Sequence, residues 1–175
     1  MNKPLVIYHC PCVDGFTAAY CAWRKFGYDG ANYIPGNYSI RDAFPDVKDR
    51  TVYILDFSYP ADMMKQIAAE AKEVIVLDHH KSAEIDLRPL LQHGVIKGEF
   101  DMNRSGAGMA WDWLHSEERR PWLIDYIEDR DLWRHALSNS LEINAYISTL
   151  PFTFEDYEKV VKSVLLFEDV QPFLL

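Results

Sequence analysis

The chain has 175 residues, 49% of them hydrophobic, which is enough to bury a core without disulfides or a structural metal. A formal net charge of −9, with no Lys/Arg stripe on any expected helix face, argues against a protein that tracks long DNA. No apolar run approaches the ~20 residues of a membrane span, so no membrane partner is expected. Met1-Asn2-Lys3-Pro4 leads straight into a strand-like stretch without the pattern of a signal peptide, and the expected location is cytoplasmic. Cys10, Cys12 and Cys21 are odd in number and close together, a poor disulfide framework that suits a reducing compartment.

In chain order, Leu5–Tyr8 reads as a buried strand. Gly15–Phe26 reads as a helix, with Phe16, Ala19, Tyr20 and Trp23 at helical spacing. Asn32–Pro35 is a weak second strand and Thr51–Phe57 a third. A helix follows with Pro60 in its first turn and Met63, Met64, Ile67, Ala68 and Ala71 on one face. Glu73–Leu77 is a strand, Glu84–Gln92 a short helix and Val95–Phe100 a fifth strand. Strands alternating with helices predict parallel pairing in an α/β fold, a sheet flanked by helices. From Ser105 the pattern turns helical, over Gly106–Leu114, Pro121–Glu128, Leu141–Thr149 and Phe154–Phe167. Residues 1–135 are expected to form an α/β metal-binding domain and 136–175 a helical extension. The apolar tail Pro172–Leu175 is open to three readings: docking on the domain, meeting a second subunit in a homodimer, or truncation before a C-terminal substrate domain.

Three apolar runs end in a candidate ligand. Leu5–Tyr8 ends at His9, Tyr53–Leu55 at Asp56, and Val74–Leu77 at Asp78-His79-His80. In an open parallel sheet, residues just past the carboxyl ends of the strands share one crevice, so distant sequence positions meet there. Each alone has a bland reading: an Asp after a strand is usually a turn residue or helix cap, and a lone His is usually solvated or satisfied in a core. Three ends built alike are harder to assign to chance. Carboxylates with imidazoles suit Mn, Zn or Fe.

Asp78-His79-His80 within VIVLDHHKSA resembles the motif that names the DHH phosphoesterases. YHCPCVDGFTAAYCAW is similar to that family's first motif, a His followed by acidic ligands and a Gly that opens a helix. YILDFS resembles the second, a strand ending in an Asp that bridges two metals. FDMNRSGAGMAWDWL resembles the Ser-Gly-Ala helix start that follows the DHH motif, and YIEDRDLW the fourth, acidic motif. The resemblance covers roughly residues 4–134 in the expected order.

The resemblance implies two divalent metal ions. His9, Asp56 and a residue of the first motif would hold one, and Asp14, Asp56, His79 and Asp129 the other. His80 would face the substrate phosphate, and Asp78 would orient a ligand from behind. Cys12 stands where many relatives carry an aspartate. Either it supplies a thiolate, favouring Zn or Fe over the otherwise expected Mn, or the first ion has His9, Asp56 and waters. Asp129 is preferred over Asp131 because it follows the apolar face of Leu123, Ile124 and Ile127 by a short step, leaving Asp131 to cap the next turn. Ser105 and Gly106 at a helix start could hold a phosphate oxygen through backbone N–H groups. Lys81 and Arg104 could neutralise phosphate charge. Trp111, Trp113 and Trp133 are expected to pack helices. His93, His115 and His135 match no motif.

The implied mechanism is in-line attack on phosphorus by a water that two ions activate. The implied substrates are a small phosphodiester or a short oligonucleotide, among activities that range over exonucleases, cyclic-dinucleotide phosphodiesterases and pyrophosphatases. The competing expectation is a nucleotide- or metal-binding regulatory module with little turnover.

Overall fold

The computed structural model describes residues 2–36 and 44–163. Five strands, β1 (Leu5–His9), β2 (Asn32–Gly36), β3 (Thr51–Leu55), β4 (Glu73–Asp78) and β5 (Lys97–Phe100), form one sheet in the order β2-β1-β3-β4-β5. Every pairing is parallel. Parallel neighbours cannot be joined by a tight hairpin. Helices α1 (Val13–Gly30), α2 (Ala61–Glu70) and α3 (Lys81–Gln92) therefore carry the crossovers β1–β2, β3–β4 and β4–β5. The helical remainder consists of α4 (Gly106–Leu114), α5 (Trp122–Asp131), α6 (Ser140–Ile147) and α7 (Phe154–Lys162).

Alternation along each strand divides its side chains between two cores. Leu5 and Ile7, Val52 and Ile54, and Val74 and Val76 point into one core with Met64, Ile67 and Leu87 of α2 and α3. Val6 and Tyr8, Leu55, and Ile75 and Leu77 point into the other with α1 and α4 to α7. Burial of each such side chain stabilises the sandwich by about 1.5–3 kcal/mol. Helices α6 and α7 share this second core: Phe16 of α1 stacks on Phe154 at 5.2 Å and meets Tyr157 edge-on at 4.9 Å.

The chain leaves β1 toward β2 and returns across it to β3, so the direction of winding reverses between β1 and β3. In open α/β sheets a crevice forms at such a reversal, outside the carboxyl ends of the strands. The register pairs Tyr8 with Leu55 and Leu55 with Leu77. The next residues, His9, Asp56 and Asp78, are thereby level across three adjacent strands.

The expected parallel α/β class followed by helices is what the structure has. Boundaries moved where apolar periodicity gave no signal. Helix α3 begins at Lys81, directly behind His80, and the polar Lys81-Ser82 opening hid its first turn. Helix α1 begins at Val13 with Cys12 at its N-cap. Helix α7 ends at Lys162. The expected continuation to Phe167 and the tail Pro172–Leu175 lie outside the described residues. No helix among the described residues is long and apolar enough to cross a membrane.

Candidate metal centre

Two glycines let helices approach the strand ends. A Cβ at Gly15 would stand 2.2 Å from the His9 carbonyl oxygen, so only glycine allows α1 to start against β1. A Cβ at Gly106 would stand 2.5 Å from the Asp56 Cβ, so only glycine lets α4 start against the end of β3. Asp56 has φ +62°, a left-handed conformation rare in non-glycine residues, and its N–H donates to the Leu77 carbonyl at 2.9 Å. Such strained residues persist where their surroundings over-determine them and often stand at functional sites.

Asp56 is buried at the centre of the cluster. His9 Nδ1 lies 3.4 Å from its Oδ2, and His79 Nε2 lies 3.1 Å from its Oδ1. His79 Nε2 is also 3.8 Å from Asp14 Oδ2 and 3.6 Å from Asp131 Oδ2. Atoms able to ligate a metal form three overlapping groups, His9/Cys12/Asp56, Asp56/His79/His80 and Asp14/His79/Asp131, each within 4.8 Å. The structure thus brings together His9, Cys12, Asp14, Asp56, His79 and His80, as expected, with Asp131 added.

Asp129 is not in the cluster, which corrects the sequence expectation. Its Oδ1 accepts from the Ala136 N–H at 2.9 Å, and its Oδ2 from Leu137 N–H at 3.4 Å and from the Ser140 hydroxyl. Residues two apart on a helix do not share a face, so only one of the pair can reach His79. Asp131 stands four residues after Ile127, in line with the buried Ile124 and Ile127 stripe. That period is legible in the sequence: helical phase, not distance along the chain, puts Asp131 beside His79.

Asp78 stands behind the two histidines. Its Oδ1 pairs with His80 Nδ1 at 2.6 Å and accepts the N–H groups of His79 and His80 at 2.8 and 3.2 Å. Its Oδ2 accepts from the Ser58 hydroxyl at 2.6 Å, a partner that no sequence signal marked. The aspartate therefore orients the His80 ring and holds the backbone at His79 and His80.

The expected phosphate donors are engaged elsewhere. Gly106 and Ala107 N–H donate to the two oxygens of Asp14 at 2.6 and 2.9 Å, and Ser105 Oγ accepts from Gly108 N–H. The positive end of α4 thus holds Asp14 in place instead of a phosphate. Arg104 is paired with Glu99, Asp101 and Asp112. Lys81 is exposed and lies 3.5 Å from Glu84.

Burial pushes the Asp56 carboxyl up, but the imidazoles of His79 and His9 outweigh it and hold the carboxyl low, at about 2. Burial, then the Asp56 and Asp131 carboxylates, push Asp14 well up. Burial and Asp56 push Asp131 up against the opposing His79. Burial, then the Asp56 and Asp14 carboxylates, raise the Cys12 thiol to about 12. The hydrogen bond that its ring donates to Asp78 raises the pKa of His80 against its burial.

Three carboxylates crowded together in low dielectric need positive charge. Asp56 Oδ1 is buried and makes no hydrogen bond among the described residues, although His79 Nε2 is near. A buried carboxylate oxygen without a hydrogen bond, facing imidazoles and further carboxylates, fits a divalent cation, and the oxygen, nitrogen and thiol donors suit Mn, Zn or Fe.

Beside the cluster, Cys12, Asp14 and Asp131 open into a cavity of about 510 Å³, whose further walls come from α5, α6 and the loop between them. Trp133 stands on its rim, 83% exposed, contrary to the expected packing role. Trp111 is buried as expected.

No family model matches the chain. It is 28% identical over 176 residues to an uncharacterized protein of Acanthamoeba polyphaga mimivirus, a match covering 93% of this chain and 41% of that protein. The chain therefore spans less than half the length of that relative. The crystal structure of an uncharacterized protein from Helicobacter pylori G27 is similar with a TM-score of 0.60 at 14% identity, over 84% of this chain and 48% of that one. At that identity the likeness shows the fold alone.

Proposed function

We propose that the chain is a metal-dependent phosphoesterase of the DHH type, hydrolysing a small phosphodiester or the end of a short oligonucleotide with the help of two divalent ions. The observation that carries this reading is the convergence of His9, Asp14, His79 and Asp131 around a buried Asp56 whose Oδ1 makes no hydrogen bond among the described residues. His9, Cys12 and Asp56 would hold one ion, and Asp14, Asp56, His79 and Asp131 the other. When bound, such ions lower the pKa of water toward neutrality and polarise a phosphoryl oxygen. Mn is the first choice, with Zn or Fe favoured if Cys12 ligates.

His80 is the catalytic residue in this reading. Asp78 fixes the ring through Nδ1 and favours its protonated form. Nε2–H can then stabilise charge on the phosphate or give a proton to the leaving oxygen. The free cysteines suit a reducing compartment, and we place the protein in the cytoplasm. A second reading, a binding module with little turnover, is favoured by the internal engagement of Arg104 and the α4 N–H groups.

Turnover of a dinucleotide and of a long single strand by the purified chain, with Mn, Zn or Fe(II), decides between them. The reading expects ion-dependent cleavage of the dinucleotide, loss in Asp56→Asn, and poor cleavage of the long strand. Ion binding without turnover of any phosphodiester favours the module instead.

A further inference from the structure

We propose that the cavity beside the cluster is a nucleobase pocket, in which Trp133 stacks on the base of the nucleotide whose phosphate sits at the ions. The position of that phosphate rests on the phosphoesterase reading; the base site itself does not.

Cys12, Asp14 and Asp131 form both part of the cluster and part of the cavity wall, so a group attached to a phosphate at the cluster extends into the cavity. Its volume, about 510 Å³, lies within the range of small-molecule sites. Ile127 and Leu141 give apolar walls, and Leu141 is itself exposed. Arg130 adds a guanidinium, one of whose N–H groups donates to Ser148 Oγ at 3.1 Å.

Asn144 supplies an independent sign of a ligand. It lines the cavity and is 98% buried. Its Nδ2 donates to the Tyr126 and Ser140 carbonyls at 2.8 and 2.9 Å, which fixes the orientation of the amide. Its Oδ1 is buried with no hydrogen-bond partner among the described residues. A buried acceptor left without a donor is costly. The ring N–H or exocyclic amino group of a base is such a donor, whereas an inorganic phosphate or a simple sugar phosphate offers no flat apolar face to go with it.

Trp133 is held on its perch. Its φ is +55° and that of His135 is +47°, outliers for bulky residues. The backbone between α5 and α6 is pinned by Asp129, whose carbonyl accepts from Arg134 N–H at 2.9 Å and whose carboxylate takes Ala136, Leu137 and Ser140. A large exposed indole carried on a pinned backbone at the wall of a cavity is a stacking platform, a contact to which every base contributes a π face.

The test is equilibrium binding of AMP and ribose 5-phosphate, by calorimetry, to wild type, Trp133→Ala and Trp133→Phe, in Mn and in EDTA. Because Trp133 is exposed, its removal leaves the core untouched, and circular dichroism checks this. AMP should bind at least about fivefold tighter than ribose 5-phosphate, the low end of base stacking. Trp133→Ala should abolish that preference and Trp133→Phe should keep most of it. AMP should quench wild-type indole emission, and the quench should vanish in Trp133→Phe. Equal binding of the two ligands, or a preference that survives Trp133→Ala, overturns the pocket. A Trp133-dependent preference without hydrolysis under any ion upholds the pocket and removes the phosphoesterase reading. Hydrolysis with no base preference does the reverse.

Discussion

Asp129 and Asp131 stand about 200° apart around α5, and that phase difference separates a structural carboxylate from a candidate ligand. Asp129→Asn would weaken the acceptors for Ala136, Leu137 and Ser140, and should cost about 1–3 kcal/mol in denaturant unfolding. Asp131→Asn removes one of three crowded carboxylates. It should hold or raise the stability of the metal-free protein while weakening ion binding by more than the 10–100-fold typical of an outer partner. Unfolding curves and ion titrations on the two variants check the assignment, and the opposite pattern would return the ligand role to Asp129. His9, Asp56 and His79 were legible because each ends an apolar run. Asp14's grip on α4 was not, because its two acceptors serve N–H groups 92 and 93 residues away, which no local pattern announces.

Helix α4 contributes no ligand, yet its start sets the position of two. Gly106→Ala would drive a methyl group into Asp56 and disturb the N–H that holds Asp14, so ion affinity should fall together with a loss of about 1–3 kcal/mol of stability. If thermal melting and ion titration both match wild type, the close approach is unimportant. Helix α7 is tied to α1 through Glu158, which accepts from Tyr20 at 2.6 Å and Arg24 at 3.2 Å. Burial pushes the Glu158 carboxyl up, but Tyr20, Lys162 and Arg24 outweigh it and hold it below the usual range. A depressed pKa gives stability that is full above the unfolded value of ~4.3 and is lost as pH falls through the folded value. Glu158→Gln should therefore be less stable than wild type at pH 7 by about 1 kcal/mol, since Arg24 and Lys162 are partly screened by solvent. The gap should close below about pH 4, and a gap constant from pH 3 to 7 would remove Glu158's charge from the account. The strands of the sheet were legible from apolar runs. The order of the sheet was not, because the reversal at β1 and β3 depends on which edge each crossover takes.

At the scale of the whole molecule, the cluster explains part of the net charge of −9, and cations should act as folding ligands. An ion at a hundred times its Kd stabilises by about 2.7 kcal/mol, so Mn should raise the melting temperature by several degrees and EDTA should reverse it. The most direct measurement is calorimetric titration of Mn into metal-free wild type and Asp56→Asn. The account predicts two ions per wild-type chain and the loss of both high-affinity sites in the variant, because Asp56 is shared. Absence of binding for Mn, Zn and Fe(II) alike, or undiminished binding in Asp56→Asn, would contradict it.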